Sequence, residues 1–499
     1  MNYQDWAASY SKQPVLAVLP SIRRASDGLD VPLHLATDDS QIWDGVNYYT
    51  PGVRGIPKIT RGTTGQDGGR GYPAYGNVEI AIEPGATLDV DRSLTWDAVL
   101  AGGWIFGGLP IQVLKGGPGL PWGSWREVIT GRQDEPTIDD KRLVLPANSR
   151  AEEVVGEQLP PNEYGDEVPE ASQGKAIPLC WGPCRNIEPV LIGESPWVYQ
   201  FNDPARGPVQ AVDVVRRKGL AIAAGFTVDL DQATVSFASE PQGNITLDVR
   251  GMAPAGGYIN LPGQIIRDIL TRFRGVAAGE LAAAAFTALD LALPWPVNLY
   301  LTSKQDVSAI FDSLLTGLLA DWGTTRAGLW TVRRQELPAG DPVLVLEDSD
   351  LLDFTWKPET RLYWKATLAG DRNYTPSGSV DDAVAQADLQ WLKEQWRERS
   401  ASDEAIKALY PRAEETPTHQ THVSQLEHLA LAAAGFLSRF GQGRRYMTAT
   451  IKDVGLLVER GDPVLVCRNR FGLQAGRLGT VERITEDHMR NRITLELFH

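Results

Sequence analysis

The stretch Phe226–Gly251, FTVDLDQATVSFASEPQGNITLDVRG, decides how the fold is read. Phe226, Val228 and Leu230 alternate with polar residues; Val235 and Phe237, then Ile245, Leu247 and Val249, repeat the pattern. Successive strand side chains point to opposite faces, so a period of two sets one apolar face on a core and leaves the other wet. Asp231-Gln232 and Pro241-Gln242-Gly243-Asn244 supply turn chemistry at the reversals. The spacing predicts three short antiparallel strands forming a ribbon.

Beyond the ribbon the period changes to that of a helix. Ile265, Ile266, Ile269, Leu270 and Phe273 make one stripe over Gln264–Arg274, and Gly275 stands where a C-terminal cap belongs. Ser303 and Asp306 have capping-box spacing before a second stripe of Val307, Ile310, Phe311, Leu314, Leu315 and Leu318. Asp321-Trp322-Gly323 reads as the end of that helix and Gly328–Val332 as a strand. No catalytic motif interrupts Phe226–Arg334, which has the character of a scaffold.

The rest of the chain extends this pattern. Leu16–Leu19, Val31–Leu35, Val78–Ile82, Val99–Leu100, Ile111–Leu114 and Leu143–Leu145 are strand candidates around a Gly-rich loop, Gly65–Gly76. Ala176–Leu179, Val190–Ile192, Val343–Leu346 and Tyr363–Leu368 add more, and Ser379–Arg397 and Val423–Phe440 read as helices. Met447–Ile451, Val464–Val466, Thr480–Ile484 and Ile493–Leu497 complete a terminal β unit. The expected class is α+β and β-rich: several small β-barrel or sandwich domains with a few amphipathic helices packed on them. The expected units are 1–165, with an exposed Pro/Glu-rich loop near 152–174; a β domain, 166–260, as the tube-like barrel part; a helix–helix–strand module, 261–347; a mixed segment, 348–440; and a C-terminal β domain, 441–499.

A formal charge of −15 over 499 residues argues against a general nucleic-acid grip, which needs a basic footprint. Met1–Lys12 is polar and lacks the apolar core of a secretory signal, and Leu281–Leu293 is too short for a membrane span and carries Asp290. Three cysteines, Cys180, Cys184 and Cys467, fit a reducing compartment better than a disulfide framework.

Chemistry is sought where residue types cluster. Cys180-Trp-Gly-Pro-Cys184 places two thiols on a tight turn, with Cys467 the remaining candidate ligand; a closed metal or iron–sulfur site needs four, so the expectation is no metal and no cofactor, and two buried thiols acting as small apolar groups. His419, His422 and His428 lack the three- or four-residue spacing of a helical metal pair. Asp89/Asp91, Asp229/Asp231 and Asp348/Asp350 each sit beside turn signals, where capping is the ordinary role. Arg460-Gly461-Asp462 reads as a plain turn before a strand. No catalytic residue is assigned, and the chain is expected not to be an enzyme.

Four stretches resemble the baseplate-hub, or tail-tip, proteins of long-tailed bacteriophages and prophages. They are Gly243–Gly251 closing a ribbon before an Ile-rich helix; the Val307–Leu318 helix running into Trp322-Gly323-Thr324 and Gly328–Arg334; Tyr410-Pro411-Arg412-Ala413 with Thr421 and Gly461-Asp462-Pro463-Val464; and Gly174–Pro178 followed by Asn186, Pro189 and Tyr199. The similarity spans residues 170–499. It implies a structural virion protein at the distal end of the tail, assembled in the host bacterial cytoplasm. Such a protein forms a homo-oligomeric ring that closes or extends the tail tube; a trimer is expected, with a hexameric distal ring as the alternative. Implied partners are the distal tail protein, the tape-measure C-terminus and central or side fibres, with host attachment and DNA ejection as the task. Rings arise from heterologous contacts that close. An acidic lumen lets DNA slide, whereas a basic one holds it. Some tail-tip proteins carry an iron–sulfur cluster on four cysteines; this chain has three. The competing reading is a carbohydrate-binding or cell-wall-degrading β-protein, with Trp104, Trp122 and Trp125 stacking on sugars.

Overall fold

Alternation in the first third of the chain builds strands in the expected places. In the computed structural model, which describes residues 1–9, 14–37, 42–62, 68–71, 75–82, 88, 94–101, 103–358 and 361–499, Val15–Arg24 pairs antiparallel with Pro110–Gly116. That strand pairs with Arg126–Gln133, which pairs with Arg142–Ser149, then Asn77–Ala81 and Val53–Gly55. Val18, Val113, Ile129, Leu143 and Leu145 fill the interior. Val99–Leu100 is not a strand: it lies in the helix Trp96–Ala101, whose Trp96 and Val99 are one turn apart and both buried. Residues 65–67 and 72–74 of Gly65–Gly76 lie outside the described residues, and Gly68–Arg70 is a strand.

The opening ribbon is divided between two sheets. Phe226–Asp229 and Thr234–Phe237 pair as expected and continue through Trp197–Gln200 to Val190–Glu194. Ile245–Met252 leaves them, pairing instead with Val209–Arg217 and Pro183–Ile187. The two four-stranded sheets share one core containing Val235, Phe237, Leu247, Val249 and Phe201. Period two gave the strand and its inner face, but not the neighbour. Phe226–Asp229 lies at a sheet edge, with Val228 38% and Leu230 37% exposed, so its apolar face covers the core only in part.

The helices follow their stripes with altered ends. Pro262–Asp268 continues as a π-helical turn, Ile269–Phe273, and stops at Gly275 with φ +67°. Val307–Leu315 begins at Asp306, and neither Asp306 nor Ser303 caps it through a side-chain bond; the helix buries Val307, Ile310, Phe311, Leu314 and Leu315. Asp321-Trp322-Gly323 does not end it. These residues lie in the strand Ala320–Thr324, paired with Trp330–Arg334. Gly317 and Leu319, both at positive φ, turn the chain first. Of Ser379–Arg397 only Gln386–Lys393 is helical, and Arg397–Ser402 is a strand on Tyr363–Gly370. Leu426–Phe440 ends at Gly441. Within 152–174, read as an exposed loop, Leu159, Tyr164 and Val168 are buried and Gln158–Leu159 pairs with Gln305–Asp306.

The C-terminal sheet runs Leu344–Leu346, Pro463–Val466, Arg477–Asp487, Arg492–Phe498, Arg445–Ile451 and Asp353–Pro358. Ile59–Gly62 adds to it beside Arg477–Asp487. A few residues later, Gly68–Arg70 pairs in parallel with Ala320–Thr324. One excursion between two strands of the N-terminal sheet thus joins the C-terminal sheet and the middle hairpin. Strand accounts for 39% of the described residues and helix for 20%; one sheet is a nearly closed barrel and another a half-barrel, the expected β-rich class.

Candidate functional site

The two nearby thiols come together in an apolar interior. Cys180 lies in Leu179–Trp181 and Cys184 in Pro183–Ile187, joined by Gly182 at φ +65°. A Cβ on Gly182 would stand 1.8 Å from the Val297 carbonyl oxygen, so only glycine makes this turn. Both cysteines are fully buried among Ile187, Phe201, Leu247 and Tyr300. The Cys184 thiol donates to the Trp181 carbonyl at 3.3 Å, and burial pushes the Cys180 thiol well above its usual range. A neutral thiol is neither a metal ligand nor a nucleophile. Cys467 follows Pro463–Val466 in another sheet, its N–H on the Leu346 carbonyl. The three sulfurs therefore do not fit an iron–sulfur cluster. Among the described residues no group of three His, Cys, Asp or Glu is placed to hold a metal ion.

The histidines are also separated. His419 stacks on Phe436 at 5.2 Å and His428 on Trp295 at 5.9 Å. His422 places Nδ1 2.6 Å from the Asn298 carbonyl oxygen and Nε2 3.2 Å from Ser313 Oγ. Its enclosure holds the imidazole pKa down at about 4.

The two acidic pairs among the described residues sit in turns. Asp229 accepts from the Asp231 and Gln232 amides. Asp350 accepts from the Glu347 amide, and Asp348 pairs with Arg468 at 2.7 Å. Asp89 and Asp91 lie outside the described residues. Trp122 packs between Tyr49 and Trp125, with ring centroids 4.9 and 4.7 Å away, and Trp125 is buried. Trp104 lies under Arg24.

Arg460-Gly461-Asp462 is a turn, as read, with a further task. Arg460 is a partly buried clamp, bonded to Asp321 at 3.0 Å and to the Gly71 carbonyl. It belongs to one of two ionic junctions that the sequence reading missed. In the first, Glu486 accepts from Arg326 at 2.5 Å, lies 3.0 Å from His488 Nε2 and is paired with Arg61 at 3.4 Å. Those cations hold the Glu486 carboxyl far below the usual range despite its burial. Nearby, Lys115 meets Asp453 at 2.6 Å, both inaccessible to solvent. In the second, Asp321 and Glu482 share Arg333, at 2.8 and 3.2 Å, and Glu482 also takes Arg439 at 3.1 Å. A signal existed: Glu482, Ile484, Glu486 and His488 are in phase, and all are buried. Acids in register with an inward isoleucine mark a strand face that meets buried cations.

These junctions fasten a scaffold whose sheets stay open elsewhere. Among the described residues, Val190–Glu194 and Phe226–Asp229 are the two outer strands of one four-stranded sheet, each with a single strand neighbour. The chain's course is similar to solved tail proteins. A tail protein from Neisseria meningitidis MC58 aligns over 97% of this chain and 96% of its own, at 11% identity and TM-score 0.40. The 43 kDa tail protein of prophage MuSo2 from Shewanella oneidensis aligns over 98% of both chains, at 12% identity and TM-score 0.38. A chain from the virion of a native gene transfer agent particle aligns over 68% of this chain and 87% of its own, at 13% identity and TM-score 0.45. No family model and no curated protein matches the chain.

Proposed function

We propose that the chain is a structural protein of a phage tail, the hub of the tail tip, which closes into a ring around the path of the DNA and carries fibres. The observation that carries this reading is the four-stranded sheet whose two edge strands, Val190–Glu194 and Phe226–Asp229, have no second strand partner among the described residues, on a body locked by buried ion pairs. A strand edge presents unpaired backbone donors and acceptors, a ready template for another chain. Edges at opposite ends of one sheet are two different surfaces, so pairing one with the other is heterologous and can close a ring. The half-exposed Val228 and Leu230 add apolar area at one of those edges. Gly243–Gly251, one of the stretches that resemble tail-tip proteins, runs into the neighbouring sheet that shares this sheet's core.

Native mass spectrometry of the purified chain tests the reading. A trimer is expected, dissociating when Val228→Lys and Leu230→Lys place charge on the free edge, with the melting temperature of the subunit unchanged. A monomer at all concentrations that cleaves peptidoglycan overturns it.

A further inference from the structure

Where the N-terminal sheet meets the C-terminal one, a histidine is sealed among ionised side chains. His488 stands one residue beyond Arg477–Asp487, and its side chain is inaccessible to solvent. Its Nε2 donates to the Glu486 carboxylate at 3.0 Å, while Nδ1 is buried and has no hydrogen-bond partner. Each element packed around the ring brings a charge. Arg61, from Ile59–Gly62, and Arg326, from the turn after Ala320–Thr324, both pair with Glu486. Lys115, from Pro110–Gly116, reaches Asp453 at 2.6 Å and Asn491 Oδ1 at 3.0 Å. Glu459 lies 3.6 Å from Arg326. Tyr3, in the N-terminal helix Tyr3–Ala8, donates to the Asp453 carbonyl at 3.4 Å.

The balance of charge here is even only while His488 is neutral. Three cations, Arg61, Arg326 and Lys115, face three carboxylates, Glu486, Asp453 and Glu459. A proton at Nδ1 adds a cation that no carboxylate is left to match, and an N–H with no acceptor, in a place closed to water. Burial holds the imidazole below its ordinary value of 6.5; Glu486 pulls the other way, and Lys115 and Arg326 add to the fall. An opened corner takes the proton first, so the contact is whole above about pH 6.5 and is lost as pH falls. Glu486 gives no relief, because its cations keep it ionised far below that range.

The groups on either side of the ring belong to different parts of the fold. Tyr3 and Lys115 come from the N-terminal unit, and Asp453, Glu486, His488 and Asn491 from the C-terminal one. One apolar core runs through both sheets, so acid frees this corner and leaves the sheets joined. We infer that His488 is an acid latch: a proton at Nδ1 parts Tyr3–Ala8 and Lys115 from Asp453–Leu457 and uncovers Tyr3 and Trp6, both buried in the closed corner.

Hydrogen exchange of the full chain, read by mass spectrometry and corrected for the intrinsic pH dependence of amide exchange, tests this inference. Between about pH 7.5 and about pH 5 the amides of Tyr3–Ala8 and Asp453–Leu457 are expected to exchange at least about tenfold faster. Those of Ile245–Met252, in a separate core, serve as the reference and are expected to hold. His488→Gln cannot take the proton and still offers a donor to Glu486, so it is expected to keep the corner protected at the lower pH. Equal opening in that variant, or unchanged protection of the native chain at about pH 5, overturns the inference. If the variant does not fold, the profile of the native chain decides. Uptake of one proton by His488 gives a rise of about tenfold per pH unit below about pH 6.5. Protection that holds to about pH 4.5 and fails only in the carboxylate range overturns the inference.

Discussion

At the residue scale, several of the chain's ion pairs lie inside the fold. Lys115 and Asp453 are both sequestered from water at 2.6 Å, and Asn491 Oδ1 takes a further bond from the ammonium at 3.0 Å. Breaking one half of such a pair leaves the other charge desolvated, which costs about 3–5 kcal/mol. Lys115→Met is therefore expected to lower stability by that order in urea unfolding, and Lys115→Met with Asp453→Asn to recover part of it. A double variant as unstable as the single one would show that the loss is one of packing. His422 makes a second residue-scale prediction. Its folded pKa lies near 4 against an unfolded value of 6.5. The unfolded chain binds the proton first, so the stabilising contribution is complete above about pH 6.5 and is lost as pH falls towards 4. The slope is at most roughly 1.4 kcal/mol per pH unit for this one group. His422→Gln is expected to flatten stability across that window, and chemical denaturation at stepped pH reads it. An unchanged slope would exclude His422 as its source.

At the element scale, the helix stripes were legible because burial follows a period that neighbours in sequence supply. Val307, Ile310, Phe311, Leu314 and Leu315 are buried as their spacing requires. Helix ends were less legible, because partners far along the chain decide them. The Gly263 amide near the start of Pro262–Asp268 is met by the Asp290 carboxylate at 2.8 Å, from the helix Ala283–Ala292. Burial raises that carboxyl to about 6. For an acid raised on folding, the contribution is complete below the unfolded value of 3.8 and is lost as pH rises through 6. Asp290→Asn keeps an acceptor and removes the charge, so it is expected to stabilise the chain at pH 7 by roughly 1 kcal/mol and to be neutral near pH 4. Thermal melts at both pH values check this. Strand partners were the hardest to read. Ile245–Met252 has the alternation that the ribbon needs, yet it pairs with Val209–Arg217, because alternation names a face and not a neighbour.

At the scale of the whole molecule, the excursion through Ile59–Gly62 and Gly68–Arg70 couples sheets that sequence reading kept apart. Arg61 is its anchor: it donates to the Val128 carbonyl at 2.5 Å in the N-terminal sheet and pairs with Glu486 in the C-terminal one. With this link the two β units are expected to unfold together in one calorimetric transition. Arg61→Met, which leaves Glu486 to Arg326 and His488, is expected to separate the N-terminal unit as an earlier transition. A single undivided transition in that variant would show that sheet pairing alone carries the coupling.

The sequence by itself determined the β-rich class, the inner faces of most strands, the stripes of the main helices and the apolar fate of Cys180 and Cys184. Each of these depends on periodicity or composition within a few turns of chain. Only the tertiary structure decided that Trp322 lies in a strand, that Ile245–Met252 leaves the ribbon, and that Arg460 in its turn also clamps Asp321. It also decided which strands lie at the sheet edges and where Glu482 and Glu486 find their cations. The physical reason is common to all of these. Pairing of edges and neutralisation of buried charge are contacts between residues far apart in the chain, and local pattern carries no information about which distant segment supplies the other half.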